Sequence, residues 1–254
     1  MKIQFSLRVL AMALLPLAFI ACQSDTEPSP NYPENARLVR VLYYAGTQVH
    51  DNASIEEYEY DGEGKLIKTS RPLFRNGEKV GIAQYAIYEY DLQNRLVKTA
   101  FFDSNINEGF VNLKNIFYTY DNQGIKEKET IEYPKTQLKE EVIFHHDGKG
   151  RLILKENLNA AQILDSYLLF KYDAHDQLIE ENIYGADDRL MRKHIHHYEH
   201  GNNTEIKVYV GDSDELLRKI TKRFDQNRNL ILLQSEELAM YSSATSYIQK
   251  FEYE

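Results

Sequence analysis

Tryptophan is absent from this 254-residue sequence and cysteine occurs once, at Cys22. A lone cysteine excludes an intramolecular disulfide and every Cys-x-x-Cys metal or redox motif. Glycine is sparse at 12 residues, and no glycine-rich loop that could cradle a phosphate is present. Neither a His-Glu-x-x-His motif nor a nucleophile elbow occurs. Positive charge is short as well: 30 Lys and Arg stand against 39 Asp and Glu, for a formal charge of −9. Nothing concentrates the cations into a phosphate-binding stripe, so nucleic acid is not an expected partner. What the chain has in excess is tyrosine, at 19 residues. Tyrosine has an apolar body and a polar tip, which suits half-buried sheet surfaces.

The one long apolar run is Val9 to Ala21, behind Lys2 and Arg8. It is shorter than the ~20 residues a transmembrane helix needs and has the layout of a secretory signal. It ends in Leu17-Ala-Phe-Ile-Ala-Cys22, which resembles a bacterial lipobox, although Phe19 departs from the usual small or aliphatic choice. The expectation is a signal peptide over residues 1–21, with a lipidated Cys22 that anchors the chain to the membrane. Residues 22–35 read as an extended tether, because Pro28, Pro30 and Pro33 fall in it. Its acids, Asp25 and Glu27, resemble the export signal of surface lipoproteins in the Bacteroidetes. The expected location is therefore the outer membrane, facing either the cell exterior or the periplasm.

From residue 36 to 254 the chain repeats. Tyr58-Glu-Tyr-Asp-Gly-Glu-Gly-Lys-Leu-Ile-Lys-Thr69 returns as Tyr88-Glu-Tyr-Asp-Leu-Gln-Asn-Arg-Leu-Val-Lys-Thr99. The second aromatic of each unit serves as a marker: Tyr60, Tyr90, Tyr120, His146, Tyr172, Tyr198, Phe224 and Tyr253. The spacings are 30, 30, 26, 26, 26, 26 and 29, a fixed period that defines a repeat array. Tyr32 reads as a degenerate first marker. An acid follows every marker, from Asp61 to Glu254. Four residues after the marker stand Gly64, Asn94, Gly124, Gly150, Asp176 and Asn202, types that tolerate positive φ. Arg228 breaks that position. A leucine follows at Leu66, Leu96, Leu152, Leu178 and Leu230; Ile125 comes one residue early in unit three, and Thr204 departs in unit six.

Alternation before each marker predicts a strand with one packed and one wet face. Tyr58 and Tyr60 share a face, as do Phe170 and Tyr172, while Glu59 and Lys171 point the other way. A second turn falls mid-unit, as in Arg75-Asn-Gly-Glu78. The fold class is all-β: an antiparallel meander of about sixteen strands in repeated hairpins. A flat sheet of that size is unusual, so a single coiled or curled sheet is expected, one that coils or closes with the aromatics inside. Strands of about eight residues with charges opposite the aromatics do not fit a transmembrane barrel.

The Tyr-Asp-x-x-Gly-Arg-Leu pattern resembles the YD repeat of the RHS family. It is carried by Tyr60-Asp61-Gly64-Leu66, Tyr90-Asp91-Asn94-Arg95-Leu96, His146-Asp147-Gly150-Arg151-Leu152 and Tyr172-Asp173-Asp176-Leu178. In that family the repeats form a curling β-sheet shell that can enclose a toxin. This chain is too short for such a cocoon, lacks the family's autoproteolytic core and ends within a repeat strand, so encapsulation is not carried over. It looks like a short YD-repeat lipoprotein of the Bacteroidetes type. A smaller resemblance exists to MORN-type hairpin repeats.

One cluster invites a chemical reading: His194-Ile-His196-His197-Tyr-Glu-His200. Strand alternation puts His194, His196 and His200 on one face, where zinc or copper could be held, with His146 or His175 from neighbouring units. The plainer reading uses the period, since His196 takes the place of Phe144 and Phe170. Asp187-Asp188 and Asp212-Ser-Asp214-Glu215 could offer oxygens to calcium but lack EF-hand spacing, and read as solvated turns. The marker acids recur in every unit, which points to turn formation rather than catalysis. The resulting expectation is a non-enzymatic lipoprotein without cofactor. It would bind an envelope protein, a glycan or another envelope component through its sheet, or else act as a scaffold.

Overall fold

The computed structural model describes residues 30, 32–49, 53–105, 107–238 and 246–254. The leader, Cys22 and the first part of the tether lie outside the described residues. Sixteen strands follow in order. They are β1 (Leu38–Ala45), β2 (Ser54–Tyr60), β3 (Leu66–Arg75), β4 (Glu78–Tyr90), β5 (Leu96–Asn105), β6 (Gly109–Tyr120), β7 (Lys126–Tyr133) and β8 (Leu138–His146). Then come β9 (Leu152–Leu158), β10 (Leu164–Tyr172), β11 (Leu178–Gly185), β12 (Leu190–Glu199), β13 (Asn202–Val210), β14 (Leu216–Phe224), β15 (Leu230–Glu237) and β16 (Tyr247–Tyr253). Each pairs antiparallel with its chain neighbours, and β16 pairs with β1. The sheet is thus a closed barrel rather than a coiled or curled single sheet, a choice the sequence left open.

The marker aromatics explain the curvature. At Tyr60, Tyr90, Tyr120, His146, Tyr172, Tyr198 and Phe224 the register shifts by one residue. A bulge bends its strand and increases local twist. Repeated at each of these marker hairpins, the bend brings the two ends together and removes both free edges.

Closure uses the repeat's own geometry. Tyr253 stands opposite Leu38, and the register shifts between Leu38 and Arg40. Tyr60 stands opposite Leu66 in the same way. The Glu254 N–H donates to the Arg37 carbonyl at 2.9 Å, as the Asp61 N–H donates to that of Lys65. One unit is therefore split, with its marker strand at the C-terminus and its leucine strand at β1. Tyr32, expected as a first marker, is not on a strand; Tyr253 fills that place. The described end of the tether is docked, not free. The Tyr32 N–H donates to Asp225 Oδ2, the Asn227 and Asn229 amides donate to its carbonyl, and its ring lies 5.0 Å from that of Tyr253.

The marker turns are built by their acids. Asp61 Oδ1 accepts the N–H groups of Glu63 and Lys65, and Asp91, Asp147 and Asp173 repeat the pattern. These bonds favour the charged carboxylate, and they help hold Asp61, Asp147 and Asp173 below the usual range. Asn94 (φ 61°) and Asp176 (φ 62°) take the left-handed conformation, and so does Arg228 (φ 66°), which the sequence marks as a break. In unit six the turn shortens to His200 (φ 51°) and Gly201 (φ 82°), which moves Glu199 and Asn202 into strands. Unit three keeps its register: Tyr120 faces Lys126, so Lys126 and not Ile125 occupies the leucine position.

Two faces result. Tyr58, Tyr60, Tyr88, Tyr90, Tyr118, Tyr120, Phe144 and Phe170 are half-buried, while the intervening Glu59, Glu89, Thr119, His145 and Lys171 are exposed. Side chains converge on the concave side of a barrel, so the aromatic face is the inside. The outer wall carries cross-strand ion pairs: Glu59–Lys68, Glu89–Lys98, Lys171–Glu180 and Glu205–Lys219. A lipid-facing charge costs roughly 2–4 kcal/mol at mid-membrane and little near the interfaces. No described helix is long and apolar enough to cross a membrane.

The interior is not a packed core. Its fully buried positions are small, such as Thr69, Ala86, Thr99 and Ser235, while the large aromatics keep part of their surface open. Sixteen strands about 4.8 Å apart and tilted about 40° correspond, for a circular section, to a backbone radius of roughly 16 Å. That is wider than inward-pointing side chains fill, and it leaves a wet lumen.

Candidate functional site on the inner face

The marker tyrosines are structural. Tyr60, Tyr90, Tyr120, Tyr172, Tyr198 and Tyr253 donate their hydroxyls to the carbonyls of Leu38, Leu66, Leu96, Leu152, Leu178 and Leu230, at 2.8–3.1 Å. Each bond ties a marker to the leucine of the previous unit, beside the bulge. Where the leucine is missing, at Lys126 and Asn203, the next marker is His146 or Phe224, which has no hydroxyl. At those two places the hydroxyl is lost, while the backbone carbonyl that would accept it remains.

Chemistry that does not repeat is found at two inner-face positions. The first lies across β2 to β6. Thr69 (8% exposed) and Ala86 (3%) form a floor of small side chains. They face each other across β3 and β4, and Phe101 faces Ala86 from β5. Small groups beside large ones leave a recess, which encloses about 550 Å³ including its open mouth. Around it stand Glu56, Arg71, Gln84 and Lys114. Arg71 reaches Glu56 at 3.7 Å and donates to Gln84 Oε1 at 3.3 Å. Glu56 Oε2 accepts the hydroxyls of Tyr58 (2.8 Å) and Tyr43 (3.2 Å). Burial, then the carboxylate, push Tyr43 up to about 12 and raise Tyr58 further. Lys114 Nζ lies 4.9 Å from the Phe101 ring centre, a cation–π distance.

The second position is centred on Glu181 of β11. His194 stands directly opposite on β12, and His196 is two residues along the same face. His194 Nδ1 lies 3.6 Å and His196 Nε2 3.0 Å from the Glu181 carboxylate. The His196 contact is off line for a directed hydrogen bond. Asn203 Nδ2 lies 2.8 Å from His196 Nδ1; with the amide as donor, the proton of a neutral ring sits on Nε2, facing Glu181. The two imidazoles hold Glu181 down to about 2, against the opposing effect of its burial. Desolvation lowers Lys222, and Glu181 partly offsets this.

The histidines proposed for a metal are therefore only partly assembled. His194 and His196 converge on a carboxylate, whereas His200 sits exposed at the hairpin tip and His197 faces outward. His175 is also exposed in a turn. Among the described residues no group of three His, Cys, Asp or Glu side chains is placed to hold a metal ion. Glu181 was not legible as the partner, although counting back across the β11–β12 turn at Gly185–Arg189 aligns it with His194. Of the acid-rich turns, Asp188 accepts the Tyr167 hydroxyl at 2.9 Å and Asp187 accepts the Arg189 N–H. Ser213, between Asp212 and Asp214, bonds within its own turn. The recess residues were missed altogether. Their signal was Thr69 and Ala86, small side chains aligned with large ones on adjoining strands.

No protein-family model matches the chain. No curated protein matches it either. Among solved structures, a porin-like protein from Bacteroides uniformis is similar over 89% of this chain and 99% of its own, with TM-score 0.55 and 11% identity. That likeness concerns the fold. The Tc holotoxin pore of Photorhabdus luminescens aligns over 78% of this chain and 10% of its own, with TM-score 0.34 and 14% identity. A protein of unknown function from Bacteroides fragilis aligns over 53% and 84%, with TM-score 0.27 and 14% identity. Neither of these two weaker likenesses carries an argument.

Proposed function

We propose that the chain is a cell-envelope lipoprotein, held to the outer membrane through Cys22, whose barrel binds an envelope component on its inner face without catalysis. One observation carries the reading: the inner face is aromatic and polar, and its large side chains are only half-buried. A structure that only needed rigidity would gain more by packing them fully. The porin-like description of the Bacteroides uniformis neighbour agrees with an envelope location. A pore through the bilayer does not agree with the charged outer wall, so the barrel stands in water on its tether. The recurring Tyr–Leu bond supports reading the units as YD repeats.

The scaffold reading keeps one observation in its favour, the cross-strand ion pairs of the exterior. The two readings separate on binding. The full chain carrying Cys22→Ala is incubated with solubilised envelope saccharides and peptides, passed through a sizing column, and the retained compounds are identified by mass spectrometry. A retained component, lost when Phe101 and Tyr88 are replaced, supports binding. No retained compound leaves the scaffold. The anchor is tested by fractionation: release of the Cys22→Ala protein from the membrane is expected, and its retention would overturn the lipid tether.

A further inference from the structure

We propose that the recess over Thr69 and Ala86 is a site for a sugar ring that carries a carboxylate. This rests on the binding reading above and names its ligand class.

The argument begins with charge. Two cations, Arg71 and Lys114, border the recess against one acid, Glu56. Glu56 is already engaged by two tyrosine hydroxyls on Oε2 and by Arg71 near Oε1. Among the described residues no carboxylate pairs with Lys114, whose Nζ is held over the Phe101 ring. Asp103, opposite Gln84 on β5, lies toward the rim and outside the lining. The recess is thus locally cationic in a chain of net charge −9. The overall field disfavours anions, so an anion gains here only by direct contact. An arginine fork and an ammonium suit a carboxylate, because charge-assisted bonds are roughly twice as strong as neutral ones.

Shape and the remaining polar groups select the ring. The floor is a hydroxyl and a methyl, and Phe101 supplies an apolar wall. A pyranose presents a face of C–H groups to such a wall and hydroxyls around its rim. Glu56 offers an acceptor, and the Gln84 amide offers donors beside an acceptor shared with Arg71. A few convergent polar groups in an otherwise apolar recess orient a small ligand. A flat aromatic carboxylate would use the cations and leave Glu56 and Gln84 without hydroxyls to bind.

The test uses the full chain with Cys22→Ala, titrated by calorimetry and saturation-transfer NMR with glucuronic acid, glucose and benzoate. Glucuronate is expected to bind about tenfold or more tightly than either of the others, with affinity that falls as salt rises. Lys114→Met and Arg71→Met are each expected to bring the ratio of glucuronate to glucose affinity down to about one, with circular dichroism showing that each variant keeps its sheet. Glucuronate binding no tighter than glucose, or unaffected by both substitutions, overturns the proposal. If envelope saccharides are retained yet show no preference for acidic sugars, the ligand class is wrong and the binding reading stands. If neither probes nor envelope fragments bind, both fall.

Discussion

The hydroxyl of Tyr90 donates to the carbonyl of Leu66 at 2.9 Å, across the base of the β3–β4 hairpin where the sheet bulges. The β3–β4 ladder ends at Lys68 opposite Ile87, so that carbonyl lies beyond it, and the tyrosine supplies a partner. A net hydrogen bond contributes about 1 kcal/mol, and an unmet buried acceptor costs somewhat more. Tyr90→Phe should therefore lower stability by about 1–2 kcal/mol without changing the barrel. Urea unfolding with unchanged m-value would show it. An unchanged midpoint would mean that water replaces the hydroxyl.

Arg228 holds φ 66° in a position where other units place Gly64, Gly124 or Gly150. A side chain pays for a left-handed backbone, and glycine does not. Arg228→Gly should stabilise the protein by roughly 0.5–1 kcal/mol, after glycine's own entropy loss is subtracted. Thermal unfolding decides the sign.

Glu181 has a lowered pKa, so its contribution to stability is full above about 4.5 and is lost as the pH falls through about 2. Glu181→Gln should destabilise the barrel by roughly 1–2 kcal/mol at pH 6. The difference from wild type should shrink across that acid window. Parallel unfolding curves at pH 6 and pH 2.5 that show the same difference would remove Glu181 from any role as a charged partner of His194 and His196.

Removal of residues 246–254 takes away β16 and leaves β1 and β15 as bare edges. Unpaired edges template strand addition. The shortened chain should form concentration-dependent oligomers, seen by light scattering on a sizing column. A monodisperse monomer would show that the seam is dispensable.

The period, the marker turns, the sixteen strands and the inward aromatics could be read from the sequence because each rests on signals within a few residues. Tyr58 and Tyr60 alternate with Glu59, and Asp61 builds its own turn. Closure could not be read this way. It depends on Leu38 meeting Tyr253, and no local pattern announces that pair. One-residue errors had large effects: Ile125 looks like the missing leucine until the register of Tyr120 puts Lys126 there. The sites were hidden for a related reason. His194 needs Glu181 from the adjoining strand, and the recess exists only because Thr69, Ala86 and Phe101 arrive from three strands.

The split unit at the seam has one more consequence. Leu38 meets Tyr253 through the same register that pairs Tyr60 with Leu66 inside a unit, so the ring holds no special joint. The local chemistry then says nothing about how many units there are. A chain with one unit fewer or more could close by the same handshake, narrowing or widening the lumen while every turn and staple stayed the same. Bore is the one dimension this architecture leaves free to vary, and ligand size would follow from unit number.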